Sequence, residues 1–197
     1  MLIKTYGYTV QGINATMVTV EVNITQGINF YMVGLPDNAV KESQQRISAA
    51  LKNQGYKIPG KQITINMAPA DIRKEGSAYD LTIAIGILAA SEQIACSHIQ
   101  DFVIMGELAL DGEIRPIRGA LPIAIKAKQE GFKGIILPVQ NAEEAAVVVL
   151  LIAIGKQPLI GRISPSKDNS PIMAYLSIFS AFICSEAPKI PIAIVKS

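Results

Sequence analysis

The sequence predicts an α/β sandwich built on a mixed sheet, and three observations carry that prediction. Residues 17–24 alternate strictly between apolar and polar, the signature of a half-buried strand. Several later stretches carry apolar residues at helical spacing. Between them, short turns join neighbouring strands, and so short a connection permits only antiparallel pairing. The resulting order is β-β-β-α-β-α-β-β-α-β-α over residues 1–148.

Residues 2–10 read as the first strand. In residues 17–24, Val18, Val20, Val22 and Ile24 face one way, and Thr19, Glu21 and Asn23 the other. After the turn at Gln26-Gly27, Ile28, Phe30 and Met32 repeat the pattern. Gly34-Leu35-Pro36-Asp37 breaks it. Asp37 can cap a helix, because its carboxylate accepts from free N–H groups of the first turn. That helix should reach about Asn53 on a stripe of Val40, Ile47, Ala50 and Leu51, ending at Gly55. Lys41, Arg46 and Lys52 are expected on its solvated face. Residues 61–67 form a strand with Ile63, Ile65 and Met67 inward.

Residues 79–91 are apolar all round, which predicts a central, buried helix. Asp80 at its start suits the positive end of the helix dipole. Residues 102–110 and 113–117 flank Asp111-Gly112, a two-residue hairpin signal. Residues 120–130 are helical, with Leu121, Ala124, Ile125 and Lys128 in register and Gly131 as the stop. Residues 134–138 make a short buried strand, and Asn141 caps a last helix.

Of the 197 residues, half are hydrophobic and 17% are charged, so a sizeable core is within reach. A net charge of +2 decides nothing about nucleic acid, since a near-neutral chain can carry a local basic patch. Cys96 and Cys184 stand far apart with no CxxC spacing, so a disulfide framework is not expected. His98 is the single histidine and has no Cys/His cluster around it, which argues against a metal site. The apolar runs 145–155 and 171–184 fall short of the ~20 residues that span a bilayer. With no signal peptide in its opening residues, the chain is expected in the cytoplasm, away from membranes.

Chemistry concentrates in two segments. One is Ala68-Pro69-Ala70-Asp71-Ile72-Arg73-Lys74-Glu75-Gly76-Ser77-Ala78-Tyr79-Asp80-Leu81. The other is Gly106-Glu107-Leu108 with Arg115-Pro116-Ile117-Arg118-Gly119. With Val33-Gly34-Leu35-Pro36-Asp37, these motifs resemble the N-terminal domain of magnesium-chelatase-like AAA+ proteins of the ComM/YifB type (subunit ChlI family). A more distant resemblance is to the proteolytic domain of Lon-type proteases. The resemblance implies a domain like the second domain of ribosomal protein S-five, covering residues 1–148. It also implies a parent protein that is hexameric, ATP-driven and concerned with DNA branch migration. ATP and Mg²⁺ belong to the ATPase module of that family. A phosphate loop needs G-x-x-x-x-G-K-[ST], and the nearest candidate, Gly155-Lys156-Gln157, lacks most of it.

Lon-type enzymes work with a Ser–Lys dyad, in which the lysine takes the serine proton. Matching the motifs puts Ala78 at the serine position, one residue after Ser77. It puts Leu121 after the segment that precedes the lysine. No catalytic residue is therefore expected, and the module reads as non-catalytic. A peptidase using Ser77 is the alternative. It requires the hydroxyl to act one position, about 100° of helix rotation, out of place.

Arg73, Lys74, Arg115 and Arg118 are the candidate contacts to DNA or to a neighbouring subunit, because they sit on loops that the fold would bring to one end. The competing reading is a solvated loop with Asp71 and Glu75 as local partners, worth little in stability. Beyond Val148 the character changes: residues 149–197 hold five of the eleven prolines and seven charges, with no periodicity that specifies a core. This tail reads as an atypical, out-of-frame or otherwise non-native ending, the alternative being a divergent folded extension.

Overall fold

A computed structural model of the protein describes residues 1–96, 98–150 and 194–196. Nine strands and four helices follow in the order β1 (Leu2–Gln11), β2 (Asn14–Thr25), β3 (Phe30–Val33), α1 (Asn38–Asn53), β4 (Gln62–Ala68), α2 (Asp80–Ala90), β5 (Phe102–Ile104), β6 (Glu107–Leu108), β7 (Ile114–Arg115), α3 (Ala120–Gln129), β8 (Gly134–Ile136), α4 (Ala142–Leu150) and β9 (Ile194–Lys196). Seven strands form one sheet in the order β3-β4-β2-β1-β5-β8-β9. Its central pairs β4-β2 and β2-β1 are antiparallel, and β3-β4, β1-β5 and β5-β8 are parallel. The sheet is therefore mixed, as the short turns required.

The alternation in β2 sets the core. Val18, Val20 and Val22 are fully buried and Ile24 nearly so, as are Ile63, Ile65 and Met67 of β4 beside them. Over this face lies α2, whose every residue is buried. Its approach is close: a Cβ on Gly86 would stand 2.7 Å from Val22 Cγ2. The stripe of α1, Val40, Ile47, Ala50 and Leu51, packs into the same core. The opposite face of β1 meets α3, where the Tyr8 hydroxyl donates to Glu130 Oε2 at 2.5 Å. Among the described residues no helix is long and apolar enough to cross a membrane.

Several elements differ from expectation. Ile28 is 89% exposed, and β3 starts only at Phe30. The expected strand 102–110 splits at Met105-Gly106. Its first part enters the main sheet as β5, and its second pairs with β7 in a separate two-stranded ribbon. The hairpin loop has three residues, because Ala109 N–H donates to Glu113 O and Gly112 N–H to Ala109 O. Gly112 takes φ +91°, the left-handed residue that such a loop needs. The buried face of α3 is Ala120, Ile123, Ala124 and Ala127; Ile125 is 42% exposed.

Asn141 precedes α4 and touches its first turn only through Nδ2, 3.4 Å from Glu144 Oε2. Its side chain clamps the backbone of Ile117 instead, accepting from the N–H at 2.9 Å and donating to the C=O at 2.8 Å. Of the atypical tail, Val149, Leu150 and Ile194–Lys196 fall within the described residues, and β9 pairs antiparallel with β8. The rest, with Cys184 and Gly155-Lys156-Gln157, lies outside them.

Candidate functional site

The motif segments are tied to one another at one end of the domain. Asp37 uses both carboxylate oxygens: Oδ1 accepts from Val40 N–H at 2.7 Å and caps α1, and Oδ2 accepts from Gly76 N–H at 3.1 Å. Lys74 N–H donates to Leu35 O, and Asp37 N–H to Lys74 O. Gly34 makes this crossing possible, since it takes φ +101° and a Cβ there would lie 2.1 Å from Met67 O. The 106–108 segment joins through Gly106 N–H to Ala78 O and Leu81 N–H to Gly106 O, both 2.9 Å.

Beneath this end lies an ion pair that local sequence does not reveal. Arg46, expected on the solvated face of α1, instead reaches Asp80 at the start of α2. Its Nε is 2.7 Å from Asp80 Oδ2, and Nη2 is 3.0 Å from Oδ1 and 2.8 Å from Ala39 O. Asp80 is fully buried and also accepts from Leu108 N–H at 3.3 Å. Burial pushes its carboxyl above the ordinary carboxylate range, against the downward pull of Arg46 and of the Leu108 N–H. The partners stand 34 residues apart, so no pattern within one helix could have paired them.

These connections frame a cleft of about 600 Å³. Its walls are the end of β1 from Tyr8 to Gly12, the segment 75–79 with Arg73, and residues 116–119. Arg73 and Arg118, far apart in sequence, thus border one opening. Arg73 is exposed and lies 3.3 Å from Glu75. Arg115 is just outside, 3.8 Å from Glu107 and 3.7 Å from Glu113. Arg118 is exposed, with no carboxylate partner among the described residues. Lys74 departs from its expected place on the loop surface: it is fully buried, with Nζ donating to Pro69 O. Desolvation lowers its pKa, against the raising effect of Asp71.

Of the two positions matched to the dyad, Ala78 lines this cleft and Leu121 does not. Ala78 packs partly buried against the core, and so does Leu121, whose N–H donates to Glu144 Oε1 at 3.0 Å. Ser77 lines the cleft, but its hydroxyl donates to Glu107 Oε2. Lys126 is engaged with Glu130 at 3.2 Å. The Tyr79 hydroxyl, also on the cleft wall, is buried without a hydrogen-bond partner. Burial pushes it up to about 12, against a lowering contribution from the Thr9 side chain. Among the described residues no group of three His, Cys, Asp or Glu side chains is placed to hold a metal, and His98 lies 3.5 Å from Asp101.

Comparison with known proteins agrees with this architecture. Residues 20–141 match the model of the family described as subunit ChlI of Mg-chelatase, and the chain belongs to that family. It is 47% identical over 144 residues to the competence protein ComM of Haemophilus influenzae, covering 73% of this chain and 28% of that protein. It is 46% identical over 138 residues to the uncharacterized protein YifB of Escherichia coli, covering 70% and 27%. Lon protease 2 of Bacillus subtilis is 34% identical over 103 residues, or 52% and 18%. The chain thus spans little more than a quarter of the length of its ComM and YifB relatives.

Proposed function

We propose that residues 1–148 form a non-catalytic accessory domain of a ComM-type magnesium-chelatase-like AAA+ ATPase, supporting its assembly or its handling of DNA during branch migration. The observation that carries the non-catalytic part is the cleft. Ala78, at the position matched to the Lon-type serine, lines it, Leu121 stands where the lysine would be sought, and the neighbouring Ser77 hydroxyl is held by a carboxylate. A carboxylate can accept that proton, but no lysine, on which Lon chemistry depends, lines the cleft among the described residues.

The DNA part rests on Arg73 and Arg118, which border one opening, and on Arg115 just outside it, cations that could meet phosphates of a single backbone. In a fluorescence titration against single- and double-stranded oligonucleotides, Arg73→Ala with Arg118→Ala should weaken binding. It should also lower the salt slope by about 1 per lost contact. Lys41→Ala with Lys52→Ala, on α1, should change little. Absence of binding by the parent chain at ~50 mM salt would remove the DNA reading and leave assembly.

A further inference from the structure

We propose that the cleft binds an extended peptide carrying a carboxylate, which adds to the sheet along the edge of β1 and places its carboxylate at Arg118. The inference does not depend on the DNA or assembly reading. It starts from where the sheet is incomplete. β1 pairs with β2 along its whole length, from Leu2 to Gln11, but with β5 only at Tyr6. Past Ile104 the chain leaves the main sheet for the β6-β7 ribbon. The strand position beside the end of β1 is therefore open among the described residues, and the cleft lies there.

The edge presents hydrogen-bonding groups in a known direction. Tyr8 N–H turns away from β2 to Met105 Sδ at 3.3 Å. Backbone groups alternate with a period of two, so Val10 presents both its N–H and its C=O on the same side. Neither has a partner among the described residues outside β2. An extended peptide would satisfy both, the mode by which sheet edges capture strands.

Two further features favour a peptide with an anionic group. Tyr79 keeps a buried hydroxyl without a partner on the cleft wall. Arg118 is the exposed cation of the lining with no carboxylate of its own, whereas Arg73 has Glu75. The lining carboxylate Glu107 is already held by Ser77 and approached by Arg115, so Arg118 is left to a ligand. A guanidinium recognises a carboxylate through paired N–H donors. The ligand is bound and released unchanged, because the dyad positions hold Ala78 and Leu121.

The test uses the full chain and a fluorescein-labelled hexapeptide of alternating threonine and valine with a free C-terminal carboxylate. Saturable anisotropy change is expected. Amidation of the peptide terminus, or Arg118→Ala, should each weaken binding about 10-fold, the loss of one charge-assisted hydrogen bond. N-methylation of alternate peptide amides should weaken it in one of the two registers and spare the other. Val10→Pro should abolish binding by removing that N–H, and Val10→Ala, which makes the same loss of packing against the core but keeps the N–H, should retain it. Absence of saturable binding to millimolar peptide would overturn the proposal. So would affinity indifferent to N-methylation in both registers. Equal binding of acid and amide would overturn the carboxylate at Arg118.

Discussion

Replacing Arg46 by methionine removes the guanidinium and keeps most of the alkyl stem, so the change isolates the charge. Three hydrogen bonds disappear, two of them to Asp80. The carboxylate left behind is fully buried and keeps only the Leu108 N–H. Removing one partner of a buried pair costs about 3–5 kcal/mol, because the desolvation penalty of the remaining charge is no longer offset. For a domain near 150 residues each kcal/mol moves the melting temperature by about 2–4 °C, so a fall of roughly 10 °C is expected.

The deficit should depend on pH with a definite sign. Burial already holds the Asp80 carboxyl above 3.8, and losing Arg46 raises it further. A raised carboxyl keeps its proton in the folded state after the unfolded state has released it. The penalty is therefore small below 3.8 and grows as pH climbs toward the folded value. Thermal melts of parent and variant at pH 7 and pH 4, followed by circular dichroism, measure the difference. A larger gap at pH 7, narrowed by adding Asp80→Asn, is the expected result. A loss under ~1 kcal/mol, or one equal at both pH values, would refute the reasoning.

Two other substitutions test the motif end of the domain. Gly34→Ala forces φ +101° on a residue with a Cβ and drives that Cβ into Met67 O, so denaturant unfolding should show a loss above ~3 kcal/mol. Lys74→Met removes a buried amine whose pKa is lowered from 10.5. A lowered folded pKa makes the parent gain stability as pH rises through that value toward 10.5, and lose it again on the way down. The stability difference, parent minus variant, should therefore increase with pH in that range, and a flat difference in chemical denaturation would count against a desolvated amine.

What could be read in the sequence was the part set by local pattern. Val18, Val20, Val22 and Ile24 mark the inner face of β2 by alternation alone, and Asp37 three residues before Val40 marks a cap. The all-apolar run of α2 declared a central helix. Misreadings arose where distant chain decides. Arg46, Lys41 and Lys52 look alike on a helical wheel; only the tertiary position of Asp80 draws one of them inward. Arg73 and Lys74 are adjacent, yet the turn that ties Lys74 to Leu35 and Asp37 sends one side chain outward and buries the other. Asn141 offers the same cap chemistry as Asp37, but the backbone of Ile117 competes for it and wins. The cleft itself is a product of topology. It exists because β5 ends at Ile104 while β1 runs on, and no spacing of residues records that difference.

The central claim, that this cleft carries no activated nucleophile, is tested most directly by treating the whole chain with a serine-reactive fluorophosphonate and weighing the intact protein. The account predicts an unchanged mass, since the Ser77 hydroxyl is held by Glu107 and no lysine lines the cleft among the described residues. A stoichiometric adduct that maps to Ser77 and vanishes in Ser77→Ala would contradict it.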